Sequence, residues 1–179
     1  MTVPWNGPGN RRDPPDGPRI AVNMTVPWNG KGNRRYYLSW LIKEHNIKTM
    51  AEVGVRDGHT TFYLLDQHPE LVIYGIDKSI AGFYNNDIKS KYVNRLIPIE
   101  ALSVDGAKSI ADASLDLVFI DADHSYDWVK KDIAAYTPKL KKGGFLSGHD
   151  IDFPGVNRAV NEVIIKYDVG PNNVWLTNV

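Results

Sequence analysis

From residue 37 onward the apolar positions follow two alternating rhythms. Tyr37, Leu38, Leu41 and Ile42 are one, three and four apart, which puts them on one face of a first helix. Residues 50–55 read as a strand, 60–65 as a helix, 71–76 as a second strand and 96–101 as a third. Short helices are expected over 85–92 and 104–111. Residues 115–120, with Leu115, Leu117, Val118, Phe119 and Ile120 apolar, have the near-continuous pattern of a strand buried on both faces. Tyr126, Val129, Ile133 and Tyr136 recur at helical spacing until Pro138, after which Gly143-Gly144 leads into a strand at 145–147. Pro154 opens a helix whose stripe is Val156, Ala159, Val160, Val163 and Ile164, and residues 174–179 form the last strand. Strands alternating with helices predict an α/β fold, a doubly wound, mostly parallel sheet flanked by helices. In such sheets ligands bind beyond the carboxyl ends of the strands. A single strand after the last helix shortens the C-terminal region and leaves an open sheet edge, with room for a homodimer to cover it.

Ahead of this pattern, residues 1–12 (MTVPWNGPGNRR) recur at 24–35 as MTVPWNGKGNRR, and the stretch between them holds three prolines at 13–18. Residues 1–33 are therefore read as a duplicated, flexible leader, and 34–179 as one domain. A length of 179 residues suits a single core. The 21 basic and 21 acidic residues cancel, so the chain carries no overall nucleic-acid signal, and no apolar run is long enough to span a membrane. With no cysteine there is no disulfide and no thiolate chemistry, and no secretory leader pattern opens the chain. The expectation is a cytoplasmic protein acting on a small molecule.

The chemistry is concentrated at the expected strand ends. The segment Glu52-Val53-Gly54-Val55-Arg56-Asp57-Gly58-His59-Thr60 has two glycines four apart, which let the backbone turn sharply before a helix whose free N–H groups face a ligand. Asp77 follows 19 residues after Gly58, at the tip of the second strand, where a carboxylate can accept both hydroxyls of a ribose. The nicotinamide fingerprint requires GxGxxG, but Arg56 stands where its middle glycine would be. Asp121 directly follows the buried strand, and Asp150 stands at the equivalent place after the next one.

With these residues the chain resembles the class I S-adenosylmethionine-dependent methyltransferases, whose first loop commonly reads (D/E)xGxxxG. It is most similar to the small O-methyltransferases of the catechol, macrolide-sugar and cephalosporin-pathway type. The likeness runs from about Ile47 to Ile165 and is most specific at Val118-Phe-Ile-Asp-Ala-Asp-His-Ser-Tyr126, Gly143-Gly144 and Gly148-His149-Asp150. It implies that Glu52, Gly54, Arg56 and Gly58 shape the loop around S-adenosylmethionine and that Thr60 meets the methionine carboxylate. Asp77 would hold the ribose, Lys78, Glu100, Ala101, Leu102 and Ser103 would flank the adenine, and Asp121 would close the site.

Two carboxylates on neighbouring strands suit Mg²⁺ or Mn²⁺, and the resemblance extends the metal set to Asp121, His149 and Asp150. His149 is a departure from the family's acidic member, and an imidazole favours softer ions than magnesium. The resemblance also makes His124, three residues beyond Asp121, the general base that takes a proton from a substrate hydroxyl. Phe83, Tyr84 and Phe153 are candidates to face the acceptor, whereas His45 and His68 read as structural. The expectation is an O-methyltransferase of a small hydroxylated molecule. Two alternatives are a protein that holds S-adenosylmethionine or a nucleotide without turnover, and an enzyme that cleaves the cofactor itself.

Overall fold

The computed structural model describes residues 33–179, so the expected leader lies outside the described residues apart from Asn33. The Asn33 side chain accepts from the Arg35 N–H at 3.0 Å and caps α1 (Arg34–Glu44). The chain continues through β1 (Thr49–Val53), α2 (His59–Gln67), β2 (Val72–Asp77), α3 (Asn86–Lys91), β3 (Leu96–Glu100) and α4 (Ser103–Ala107). Then follow β4 (Leu115–Ile120), α5 (Tyr126–Tyr136), β5 (Leu140–Gly148), α6 (Pro154–Val163), β6 (Asp168–Val169) and β7 (Trp175–Asn178).

The seven strands form one sheet in the order β3-β2-β1-β4-β5-β7-β6. β1 to β5 are parallel, while β7 runs antiparallel to both β5 and β6. Strand alternation divides the core between the two faces. Leu117 and Phe119 of β4 pack with Met50, Ile73 and the buried side chains of α1 and α2. Val118 and Ile120 face the other way, against Val129 and Ile133 of α5 and Val156 and Val160 of α6. Among the described residues no helix is long and apolar enough to cross a membrane.

Most expected elements are present, with three departures. β5 begins at Leu140, not at residue 145, because Gly143-Gly144 is carried inside the strand across a register shift against β4. The helix expected over 104–111 closes after one turn at Ala107. The C-terminal strand is not single: two-residue β6 pairs antiparallel with β7 and forms the sheet edge. So short a strand carries too few residues for an alternating pattern to register.

Candidate active site

Strand order reverses between β1 and β4, and the loops leaving them start in step. The Gly54 N–H donates to Ile76 O at 2.8 Å, the Asp121 N–H to Val53 O at 2.8 Å, and the His149 N–H to Ile120 O at 3.0 Å. These bonds continue the ladder one residue past the strands and set Gly54, Asp121 and His149 side by side. Gly54 has φ +92°, and a Cβ there would stand 2.3 Å from the Asp121 carbonyl oxygen. Only glycine allows these two loops to touch. Likewise a Cβ on Gly155 would stand 2.3 Å from the His124 carbonyl oxygen, so α6 starts directly against the loop that carries His124.

A cleft of about 570 Å³ opens between these loops. The loop after β1 lines it with Gly54 and Arg56, β2 and its loop with Asp77 and Lys78, and the loop after β3 with Ala101, Leu102 and Ser103. Asp121, Ala122 and Asp123 follow from β4, and Trp128 from α5. Asp77 is held by backbone donors: its Oδ2 accepts from the Arg56 N–H at 2.8 Å and its Oδ1 from the Ser79 N–H at 3.1 Å. Each oxygen keeps a further lone pair for a ligand hydroxyl.

Four of the expected cofactor residues stand away from the cleft walls. Glu52 is 2% exposed and its carboxyl accepts the Thr61 hydroxyl, so it braces the loop from beneath. Burial pushes its pKa up to about 8, against the pull of the Thr61 hydrogen bond. Gly58 is the N-cap of α2 in a left-handed conformation. Thr60, buried in the first turn of α2, meets Arg34, whose Nε is 3.4 Å from its Oγ1. Glu100 ends β3 with its side chain exposed.

Beyond the ends of β4 and β5 lies a charged cluster. His124 Nε2 is 2.8 Å from Asp150 Oδ2 and 3.9 Å from Asp121 Oδ1. His149 Nδ1 is 2.9 Å from Asp150 Oδ1 and 3.7 Å from Asp121 Oδ1. Arg34 closes the group, its Nη2 lying 3.3 Å from Asp121 Oδ2 and its Nη1 3.5 Å from His149 Nδ1. Burial raises the pKa of Asp121 while Arg34 and His149 pull it down. Asp150 has φ +55°, a left-handed conformation that aspartate tolerates better than most residues, and the turn it makes brings its carboxylate back toward β4.

Asp121, His124 and Asp150 each offer a donor atom within 4.8 Å of the others, a compact set of two carboxylates and an imidazole that fits a divalent cation. The sequence reading put His149 in that set, and the compact group has His124 instead. Phe83 is a correction: at 2% exposure it is part of the core and unavailable to an acceptor. Tyr84 packs partly against the same core, while Phe153 is exposed, with its ring 5.0 Å from that of His124. His45 is the C-cap of α1, and the ring of His68 lies 2.8 Å from the Ser39 hydroxyl.

Arg34 and Trp128 were missed by the sequence reading. Trp128 has no sequence neighbour that marks it. Arg34 carries a signal in that it and Arg35 are two cations in the first turn of a helix that has no acidic residue there.

A glycine turn after β1, a carboxylate at the tip of β2 and a crevice at the strand-order reversal define a protein that binds a nucleoside-containing small molecule. A methyltransferase-domain family model matches residues 51–151, more than half of the chain. The chain belongs to that family and is a class I S-adenosylmethionine-dependent methyltransferase. No curated protein sequence matches it. Its fold is similar to that of a Staphylococcus aureus protein assigned as a caffeoyl-CoA O-methyltransferase, at 20% identity, 81% coverage of each chain and a TM-score of 0.67. It is also similar to the S-adenosylhomocysteine-bound methyltransferase PaMTH1 of Podospora anserina, at 14% identity over 80% of this chain and 76% of that one, TM-score 0.62. A third neighbour is the MycE methyltransferase of the mycinamycin biosynthetic pathway, in complex with Mg, SAH and mycinamycin VI. There the identity is 15% over 80% of this chain and 48% of that one, TM-score 0.58. At these identities the likeness is one of fold.

Proposed function

We propose that the protein transfers the methyl group of S-adenosylmethionine to a hydroxyl of a small molecule, with His124 as general base. The observation that carries this reading is the His124–Asp150 pair, 2.8 Å apart and next to Asp121 on the cleft wall. In this reading Asp77 accepts the ribose hydroxyls, Arg56, Gly54 and Gly58 shape the loop around the cofactor, and Lys78 and residues 100–103 flank the adenine. The Asp150 carboxylate, its Oδ2 2.8 Å from His124 Nε2, favours by its charge the tautomer with the proton on that nitrogen, and Nδ1 then carries the lone pair that takes the acceptor's proton. The acceptor oxygen attacks the methyl carbon as the C–S bond breaks, the sulfonium leaves as a neutral thioether, and the proton ends on the imidazole. Positioning supplies much of the rate, since the reaction is an in-line displacement. The exposed ring of Phe153 offers a flat apolar contact for an acceptor beside His124.

A divalent cation, Mg²⁺ or Mn²⁺, on Asp121 and Asp150 with His124 or His149 would lower the pKa of the hydroxyl and fix its place. The MycE complex contains Mg, which supports testing for one here. If His124 served as a ligand it could not also be the base, so the two roles compete.

The test is single-turnover methyl transfer to a panel of catechols and sugars, with metal-stripped and Mn²⁺-supplemented protein. His124→Gln is expected to lower the rate roughly 10²-fold or more with cofactor affinity unchanged. Wild-type rates in His124→Gln would remove the base. Full activity after metal stripping, with Asp121→Asn and Asp150→Asn unimpaired, would remove the metal. Transfer to nitrogen or carbon acceptors alone would overturn the O-methyl assignment.

A further inference from the structure

We propose that Arg34 binds the α-carboxylate of S-adenosylmethionine, supplying from α1, outside the matched family region, the cation that fixes the amino-acid end of the cofactor. The proposal rests on the cofactor assignment above. With the nucleoside end between Asp77 and residues 101–103, the amino-acid arm extends past Gly54 toward Asp121, the cleft residue that Arg34 pairs with. The guanidinium is poised there rather than consumed. Its three contacts, to Thr60 Oγ1, His149 Nδ1 and Asp121 Oδ2, lie between 3.3 and 3.5 Å, at or beyond the long edge of charge-assisted bonding, and its side chain is 33% exposed. A guanidinium has five N–H donors and presents them as a fork that matches a carboxylate.

Two further observations support an anion at this place. α2 has no side-chain cap, and no acceptor is found among the described residues for the N–H groups of His59, Thr60 and Thr61, although Thr60 and Thr61 are buried. Such donors require a partner, and an anion meets both them and the helix dipole. α1, in turn, breaks the usual charge rule with Arg34 and Arg35 at its positive end, a local cost of the kind found where function demands it. Arg35 has its own partner in the Tyr63 ring, 5.7 Å from its Cζ, and Tyr36 meets the same ring edge-on at 5.4 Å. These contacts seat α1 on α2 and leave Arg34 facing the site.

Calorimetric titration of the full chain with S-adenosylhomocysteine and with methylthioadenosine tests this, since the second ligand lacks the amino-acid arm. Arg34→Ala and Arg34→Gln are expected to weaken S-adenosylhomocysteine roughly 10- to 100-fold while methylthioadenosine changes less than about twofold, and Arg34→Lys to recover part of the loss. Parallel weakening of both ligands, or unchanged S-adenosylhomocysteine affinity, would overturn the proposal and leave the cofactor assignment standing. Failure of the wild-type chain to bind either ligand would overturn both. If Arg34→Ala does not fold, Arg34→Gln and Arg34→Lys decide the matter by the same comparison.

Discussion

Glu52 shows how burial of one residue makes stability depend on pH. Its carboxyl is buried beneath the first loop with the Thr61 hydroxyl as partner, and desolvation lifts its pKa from an ordinary 4.5 to about 8. A carboxyl whose pKa is raised by folding contributes stability that is fully present below the unfolded value and lost as pH rises through the folded one. Glu52→Gln keeps an oxygen to accept the Thr61 hydroxyl and removes the titration. We predict that the variant's unfolding free energy, measured in urea, pulls ahead of wild type progressively between about pH 4.5 and 8, by on the order of 2–4 kcal/mol at the upper end. A gap that stays constant with pH would show that Glu52 ionises freely. At this scale the sequence identified acidic residues at strand ends but could not rank them. Glu52, Asp77, Asp121 and Asp150 look alike in a string, and only packing makes the first a buried brace and the second a half-buried acceptor on the cleft wall. Arg34 was missed for the same reason, since its partners Thr60, Asp121 and His149 are 26 to 115 positions away.

Among elements, legibility followed the length of the apolar run. β4 spans the residues expected of it because five of its six positions are apolar and both of its faces are covered. β5 was read to start five residues too late, because Lys141, Lys142, Gly143 and Gly144 look like a turn, yet their neighbours complete the ladder beside β4 and β7. The contact between the ends of β1 and β4 is a feature of this scale with a measurable cost. Gly54→Ala would add a Cβ 2.3 Å from a backbone oxygen at φ +92°. Combining the left-handed penalty with the strain of overpacking, we expect about 2–4 kcal/mol of destabilisation in urea unfolding, with an unchanged m-value. A loss below about 1 kcal/mol would mean that the two loops separate easily and do not define the cleft as tightly as the geometry implies.

For the whole molecule, every buried core residue described begins at Tyr37 or later, and the cap on α1 comes from the second copy of the repeated segment. Deleting Met1 to Asn23 is accordingly expected to leave melting temperature and S-adenosylhomocysteine affinity unchanged. A drop of more than about 4 °C, on the order of 1 kcal/mol for a chain of this size, would show that the first copy packs on the domain. By itself the sequence determined the alternation of strands and helices, the doubly wound class, the glycine loop and the acidic residues at strand ends. All of these are local, because hydrophobic periodicity and turn chemistry are written in neighbouring residues. The tertiary structure alone decided which strand ends meet at the reversal of strand order and that the sheet closes on an antiparallel pair. It also put His124 rather than His149 in the compact donor set and brought Arg34 beside Asp121 of the cleft wall. These are matters of distance between residues remote in the chain, set by the register of the sheet and the packing of helices across it, and no local pattern encodes them.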